Sequence, residues 1–178
     1  MKTKGGIILK LSELMKDVTP KTDYEGFVGN DDFVLAIDTA TSGTTESAVG
    51  DFSVVQIGVN KAEGSVDSET KDNTYIRTGK MTTKTGAQRK FSVEGARYSG
   101  DAFQDFCLSH GIQFGRGTAV VRSYVYFNML TGKGEKGKVT IIPSDTQTGD
   151  AGENATFKVE MTSTEAPAEY VYTAPTGA

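Results

Sequence analysis

Five places in the sequence carry residue types that could do chemistry. Gly132-Lys133-Gly134-Glu135-Lys136-Gly137 matches G-x-G-x-x-G letter for letter. A dinucleotide site needs a strand before that loop and a helix after it, because the helix N-terminus holds the pyrophosphate. A strand pattern, Lys138 to Ile142, follows instead, so the segment reads as a hairpin loop. His110 is the only histidine. It falls at the end of an expected helix, where the dipole favours an imidazolium, and no nucleophile with a supporting acid is suggested nearby. Cys107, the only cysteine, lies on the apolar stripe of that helix and reads as a small buried hydrophobe. Asp31-Asp32 reads as a turn and strand entry. Asn154-Ala155-Thr156 is a glycosylation triplet by pattern, discounted because the basic-then-apolar start, Met1 to Leu9, is too short for a signal-peptide core. One Cys cannot form an intrachain disulfide, and one Cys with one His cannot build a zinc site without carboxylates. The expectation is no catalytic residue, no metal and no cofactor.

The chain has 178 residues, enough for one domain with long arms, and no apolar run approaches a membrane span. Its net charge of −4 is unevenly spread. Residues 22–60 hold seven acids and no Lys or Arg, whereas residues 1–21 and 61–100 are each net basic. Such a balance does not grip nucleic acid by neutralising phosphates. Opposite patches on identical subunits could instead meet each other.

The elements that must position any site are mostly strands. Thr, at 23 occurrences, joins Val, Ile, Tyr and Phe in alternating runs. Phe33–Ile37 is apolar throughout and reads as a strand buried on both faces. Further strands are expected at 52–59, 91–94, 119–129, 139–142, 156–161 and 170–172. One helix is expected over 101–110, with Phe103, Phe106 and Cys107 packing on a sheet, Asp101 capping the first turn, Gln104 in the capping-box position and Gly111 ending it. A weaker helical signal covers Ser12 to Val18. Residues 60–90 are long and polar for a compact domain.

The order Thr74-Tyr75-Ile76-Arg77-Thr78-Gly79-Lys80, then Thr85 to Gly95, then Arg97-Tyr98-Ser99-Gly100-Asp101-Ala102-Phe103-Gln104-Asp105-Phe106 resembles the major tail tube protein of long, non-contractile-tailed bacteriophages. That family has a strand pair with a polar connection, a strand ending at Gly, and then a G-D-x-x-Q-D helix start. The resemblance covers roughly residues 50–165. It implies a mainly β (α+β) fold, two packed antiparallel sheets in a sandwich or barrel flanked by one α-helix, with a long loop and terminal arms. Residues 1–20 would be an N-terminal arm, 21–165 a single β domain with 60–90 as its inter-subunit loop or hairpin, and 166–178 a C-terminal strand and tail.

The resemblance also implies a structural subunit, not an enzyme. Six copies would form a ring, and rings would stack into a tube through whose bore the genome passes without sticking. The partners would be the chain itself, a tape-measure protein, a tail terminator and distal tail proteins, in the virion tail and, during assembly, the host cytoplasm. Tyr75, Ile76, Arg77, Lys80 and Met81, apolar groups among charges, are the candidate self-assembly residues, in a segment expected to be loose until a neighbour orders it. A cation-free strand from residues 22–60 would suit a bore wall; Arg122 and Lys158 would not. The alternative is an immunoglobulin-like or carbohydrate-binding β-module of a phage or bacterial surface protein, which should stay monomeric at any concentration.

Overall fold

The structure, a computed structural model, describes residues 9–40 and 45–174. In chain order the elements are α1 (Leu11–Leu14), β1 (Phe33–Ile37), β2 (Ser53–Val54), β3 (Val59–Tyr75), β4 (Gly79–Ala96), α2 (Ala102–Cys107), α3 (His110–Gln113), β5 (Val121–Asn128), β6 (Lys133–Thr148), β7 (Thr156–Ser163) and β8 (Ala168–Val171), with short 3-10 turns between. The eight strands form one antiparallel sheet in the order β2-β1-β5-β6-β7-β4-β3, and β8 continues the line of β7 along the start of β6.

The sheet folds over on itself. Phe91 of β4 meets Tyr124 and Tyr126 of β5 edge-on at 5.2 and 5.1 Å, although two strands separate β4 from β5 in the sheet. The two packed layers are therefore halves of one continuous sheet. Between them lies the main core, built from Leu35, Ile37, Phe91, Val93, Phe157, Val159 and Met161 with the helical residues Phe103, Cys107 and Ile112. The opposite face of β1 and β5, carrying Val34, Ala36, Val125 and Phe127, is covered by Leu11 and Met15. β1 is thus buried on both sides, as its unbroken apolar run predicts.

Several expectations need correction. The helix over 101–110 stops at Cys107, and the chain restarts at His110, so Gly111 lies inside α3. A straight continuation would bring His110 and Gly111 onto the buried stripe, the positions three and four beyond Cys107. Breaking the helix delivers Ile112 to the core instead. The helical signal at 12–18 shortens to Leu11–Leu14. Of the run 52–59 only Ser53–Val54 pairs in β2. Alternation along 119–129 sets Tyr124 and Tyr126 with Arg122 and Asn128 on the face opposite Val121, Val125 and Phe127, a polar face by sequence; in the structure both tyrosines point into the main core.

The Gly132–Gly137 run is not a loop: β6 begins at Lys133. Gly134 faces Phe127 in the register, and a Cβ there would overlap the Tyr126 carbonyl and the Phe127 Cα. This glycine is needed for close strand approach.

The N-terminal segment is stitched to its own chain. Leu11 N donates to the Phe52 carbonyl and Val54 N to the Leu9 carbonyl, both at 3.0 Å. Burying a side chain such as Leu11 or Met15 contributes about 1.5–3 kcal/mol, which ties residues 9–15 to the body. Of the expected N-terminal arm, residues 1–8 lie outside the described residues. At the other end Tyr172 stacks on Phe127 at 5.3 Å, and residues 175–178 lie outside the description.

Cys107 is fully buried, and burial pushes its thiol well above the ordinary value, with the nearby Asp101 charge adding to it. The thiolate is the reactive form. The native chain is therefore expected to leave a water-soluble aromatic disulfide reagent unreacted at pH 8. The chain unfolded in guanidinium should release one thiol equivalent promptly. Rapid reaction of the native protein would show that the α2 stripe is open to solvent.

Candidate self-assembly surface

The long polar segment folds as a ribbon. β3 and β4 pair from Val59↔Gly95 out to Tyr75↔Gly79, whereas β4 pairs with β7 only from Ala96 back to Lys90. Beyond Lys90 neither strand has a further strand partner among the described residues, and past Gln88 the ribbon leaves the body. At ~3.4 Å per residue the tip reaches roughly 35–40 Å from that last pair. The expected loose loop is replaced by paired strands, because Thr-rich alternation and cross-strand charges suit a pleated ribbon.

Its details follow from the sequence. Gly79 takes φ +72° and closes the three-residue loop Ile76-Arg77-Thr78. A bulge between Glu69 and Thr70 leaves Thr85 unpaired, which adds twist. Asp72 is bound by Lys80 Nζ and by the Thr82 hydroxyl, both at 2.7 Å. Those bonds, the lysine first, hold its carboxyl below the usual range. Lys90 pairs with Asp67. Exposed pairs of this kind contribute about 0–1 kcal/mol each, and a lone two-stranded ribbon is marginal in water.

At the tip Ile76 is fully exposed, and Tyr75 and Met81 are each 52% exposed. The register puts Tyr75 and Met81 on one face, since Asn73 opposes Met81 and Tyr75 opposes Gly79. Arg77 is exposed and makes no ion pair among the described residues. The structure thus gathers Tyr75, Ile76, Arg77, Lys80 and Met81 at one extremity, with both outer strand edges unpaired.

The root of the ribbon is clamped by residues the sequence did not single out. Arg89 grips Glu135 of β6 with two bonds, Nε to Oε1 at 2.5 Å and Nη2 to Oε2 at 2.9 Å. Tyr124 Oη donates to the same Oε1 at 3.0 Å. The guanidinium lies 5.3 Å from the Phe91 ring centroid and 5.2 Å from that of Tyr126. Burial weakens the Arg89 charge, but Glu135 outweighs it and leaves the guanidinium more basic than usual. Burial, and then the Glu135 charge, push the Tyr124 phenol up. Arg89 N also donates to Ser163 Oγ at 3.0 Å, and Gln88 Nε2 to the Ser163 carbonyl at 3.0 Å. The lock sits where β7 ends and β4 loses its neighbour. Only the meeting of four strands in space brings these groups together, so no local motif announces them.

The helix residues lie elsewhere. Phe103 and Cys107 are buried in the main core, and Phe106 packs partly buried against it. Asp101 Oδ2 accepts from Gln104 N at 2.9 Å. Burial raises the Asp101 carboxyl above its ordinary value, although the Gln104 N–H works against the shift. The Gln104 side chain does not complete a capping box. It turns away from the helix end to the 57–58 turn and the end of β4. His110 packs on Phe114, with ring centroids 4.8 Å apart. Among the described residues no group of three His, Cys, Asp or Glu side chains could hold a metal, and no helix is long and apolar enough to cross a membrane.

No family model and no curated protein matches the chain. Solved structures do. The tail of an empty gene transfer agent particle, refined helically with C6 symmetry, holds a chain similar to this one with a TM-score of 0.57 and 19% identity, covering 82% of this chain and 100% of that one. This chain shares its fold with a chain of that tail. A chain from the virion of the native gene transfer agent matches at TM-score 0.56 and 15% identity, over 82% of this chain and 100% of that one. A chain from the tube-terminating cap of the anti-feeding prophage matches at 0.52 and 10%, over 84% and 94%.

Proposed function

We propose that the chain is a structural subunit of a phage-like tail tube, which self-assembles into hexameric rings that stack around a bore for the genome. The observation that carries this reading is the ribbon: a long two-stranded arm with unpaired edges and a bare apolar tip, on a body whose fold is found in a C6-symmetric tail. An isolated chain gains nothing from holding such an arm in water. A repeating assembly does, because a head-to-tail contact that closes on itself buries every copy's arm at once. The role is structural rather than enzymatic. The tape-measure protein, tail terminator and distal tail proteins of the same particle are its proposed partners, and the virion tail, reached from the host cytoplasm, is its proposed place. Long non-contractile tails are the narrowest form of the proposal, since the similar structures come from a gene transfer agent and from the tube-terminating cap of an anti-feeding prophage.

The test is concentration. Purified chain, raised stepwise and followed by sedimentation velocity and negative-stain microscopy, should pass from monomer to rings or hollow striated tubes. A single sharp monomer boundary at every concentration would favour the β-module instead.

A further inference from the structure

Two uncompensated surfaces stand at opposite ends of β5. Beyond its C-terminal end lies the segment 21–32, anchored where Lys21 N donates to the Leu130 carbonyl at 2.7 Å and Lys133 Nζ to the Thr22 carbonyl at 3.0 Å. It carries Asp23, Glu25, Asp31 and Asp32 against the single Lys21. Phe27 at its crest is fully exposed, with Tyr24 Oη donating to the Phe27 carbonyl. None of its acids makes an ion pair among the described residues.

At the N-terminal end of β5 lies the rim of α2, α3 and the turn that follows. Residues 106–122 contain Arg116, Arg122 and His110 and no acid, and the acid of α2 that precedes them, Asp105, is paired with Arg97. Phe114 stands 68% exposed on this rim. The Arg122 guanidinium is held in place: Nη1 donates to the Ala119 and Val121 carbonyls at 3.0 and 2.7 Å, the group lies 5.1 Å from the Phe106 centroid, and Nε is buried without a partner. No carboxylate among the described residues answers Arg116 or Arg122. β5, at eight residues, separates the two surfaces by roughly 27 Å, so one chain cannot bring them together.

We infer that the acidic 21–32 segment of one copy docks on the Arg116–Arg122 rim of the next, with Phe27 and Phe114 as its apolar anchors. The surfaces are opposite in charge, each offers a bare aromatic, and the charges of each have no ion-pair partner among the described residues. Complementary patches at opposite ends of one molecule give a heterologous contact, and repetition of that contact builds a stack. The inference rests on the reading of the chain as a self-assembling subunit. It adds a second contact, separate from the ribbon tip and sensitive to salt.

Charge reversal tests it. Asp23→Arg with Glu25→Arg on the segment, or Arg116→Glu on the rim, should each raise the concentration needed for stacking by about tenfold or more. All three substitutions in one chain should recover most of that loss, and thermal melting should stay at the wild-type temperature throughout. Stacking by the separate variants at wild-type concentration, or no recovery in the combined chain, overturns the contact and leaves the proposed function standing. A wild-type chain that stays monomeric overturns both. Fluorescent single-stranded DNA that binds the rim and is released by Arg116→Glu, with stacking unchanged, would make the rim a nucleic-acid surface and also overturn the contact.

Discussion

Tyr75→Asp combined with Ile76→Asp is expected to abolish self-assembly of the purified chain while leaving the monomer folded. The two parts of that outcome have different causes. In the free chain Ile76 is fully exposed and Tyr75 is half exposed. Surface changes of this kind usually alter stability by no more than about 0.5 kcal/mol. In an assembly the same side chains would be buried, and each would contribute about 1.5–3 kcal/mol. Aspartate forfeits that and adds a charge that must be desolvated. A combined loss of at least about 3 kcal/mol raises the concentration needed for assembly by more than a hundredfold, roughly. Sedimentation velocity reads the assembly and circular dichroism melting reads the fold. Tubes at the wild-type concentration would remove the ribbon tip from the interface, and loss of the cooperative melt would mean that these residues stabilise the body itself.

What could be read beforehand divides along the range of the interactions. β1 was legible because five consecutive apolar residues leave no face for water. β7 was legible because Phe157, Val159 and Met161 alternate cleanly. Asp101 was legible because a cap is local in sequence. The break between α2 and α3 was not: Leu108-Ser109 has no strong stop signal, and the restart is dictated by where Ile112 must go. The Gly132–Gly137 run misled because glycine serves turns and close strand approach alike, and only the position of Phe127 decides between them. The tyrosines of β5 misled because alternation cannot tell a wet face from a core that supplies a hydroxyl partner. The polar ribbon was visible as a long anomaly at 60–90, but its pairing depends on register across a distant turn. The Arg89–Glu135 lock joins residues 46 positions apart, and nothing near either residue predicts the other.

Gln104 shows the same limit most sharply, and it carries the largest expected effect on stability. Its backbone takes the Asp101 cap, which is local. Its side chain is fully buried and makes four bonds to two other segments. Nε2 donates to the Ile57 carbonyl at 2.6 Å and the Ala96 carbonyl at 3.3 Å; Oε1 accepts from Tyr98 N at 2.7 Å and Arg97 Nη1 at 3.3 Å. One amide therefore ties α2, the 57–58 turn and the end of β4 together. Gln104→Leu keeps the bulk and strips the partners. Each buried group left unpaired costs about 1–3 kcal/mol, so the total loss should be roughly 3–5 kcal/mol. For a domain of this size that lowers Tm by roughly 10–15 °C. Gln104→Glu makes the cause visible through pH. Ionised, the introduced carboxyl would be fully buried and would face the Ile57 and Ala96 carbonyls with no proton to offer, a cost that the Arg97 guanidinium and Tyr98 N–H at its other oxygen offset only in part. Its folded-state pKa should therefore lie above the unfolded value of about 4.3. The folded state then binds the extra proton, so this variant should regain stability relative to wild type as pH falls through that raised value, and lose it as pH rises. Denaturant titrations of wild type and both variants across pH 4–8 would check this. A Gln104→Leu protein as stable as wild type would mean that water replaces the amide at all of its partners. A Gln104→Glu deficit that does not shrink toward acid would mean that shape, not the missing proton, causes the loss.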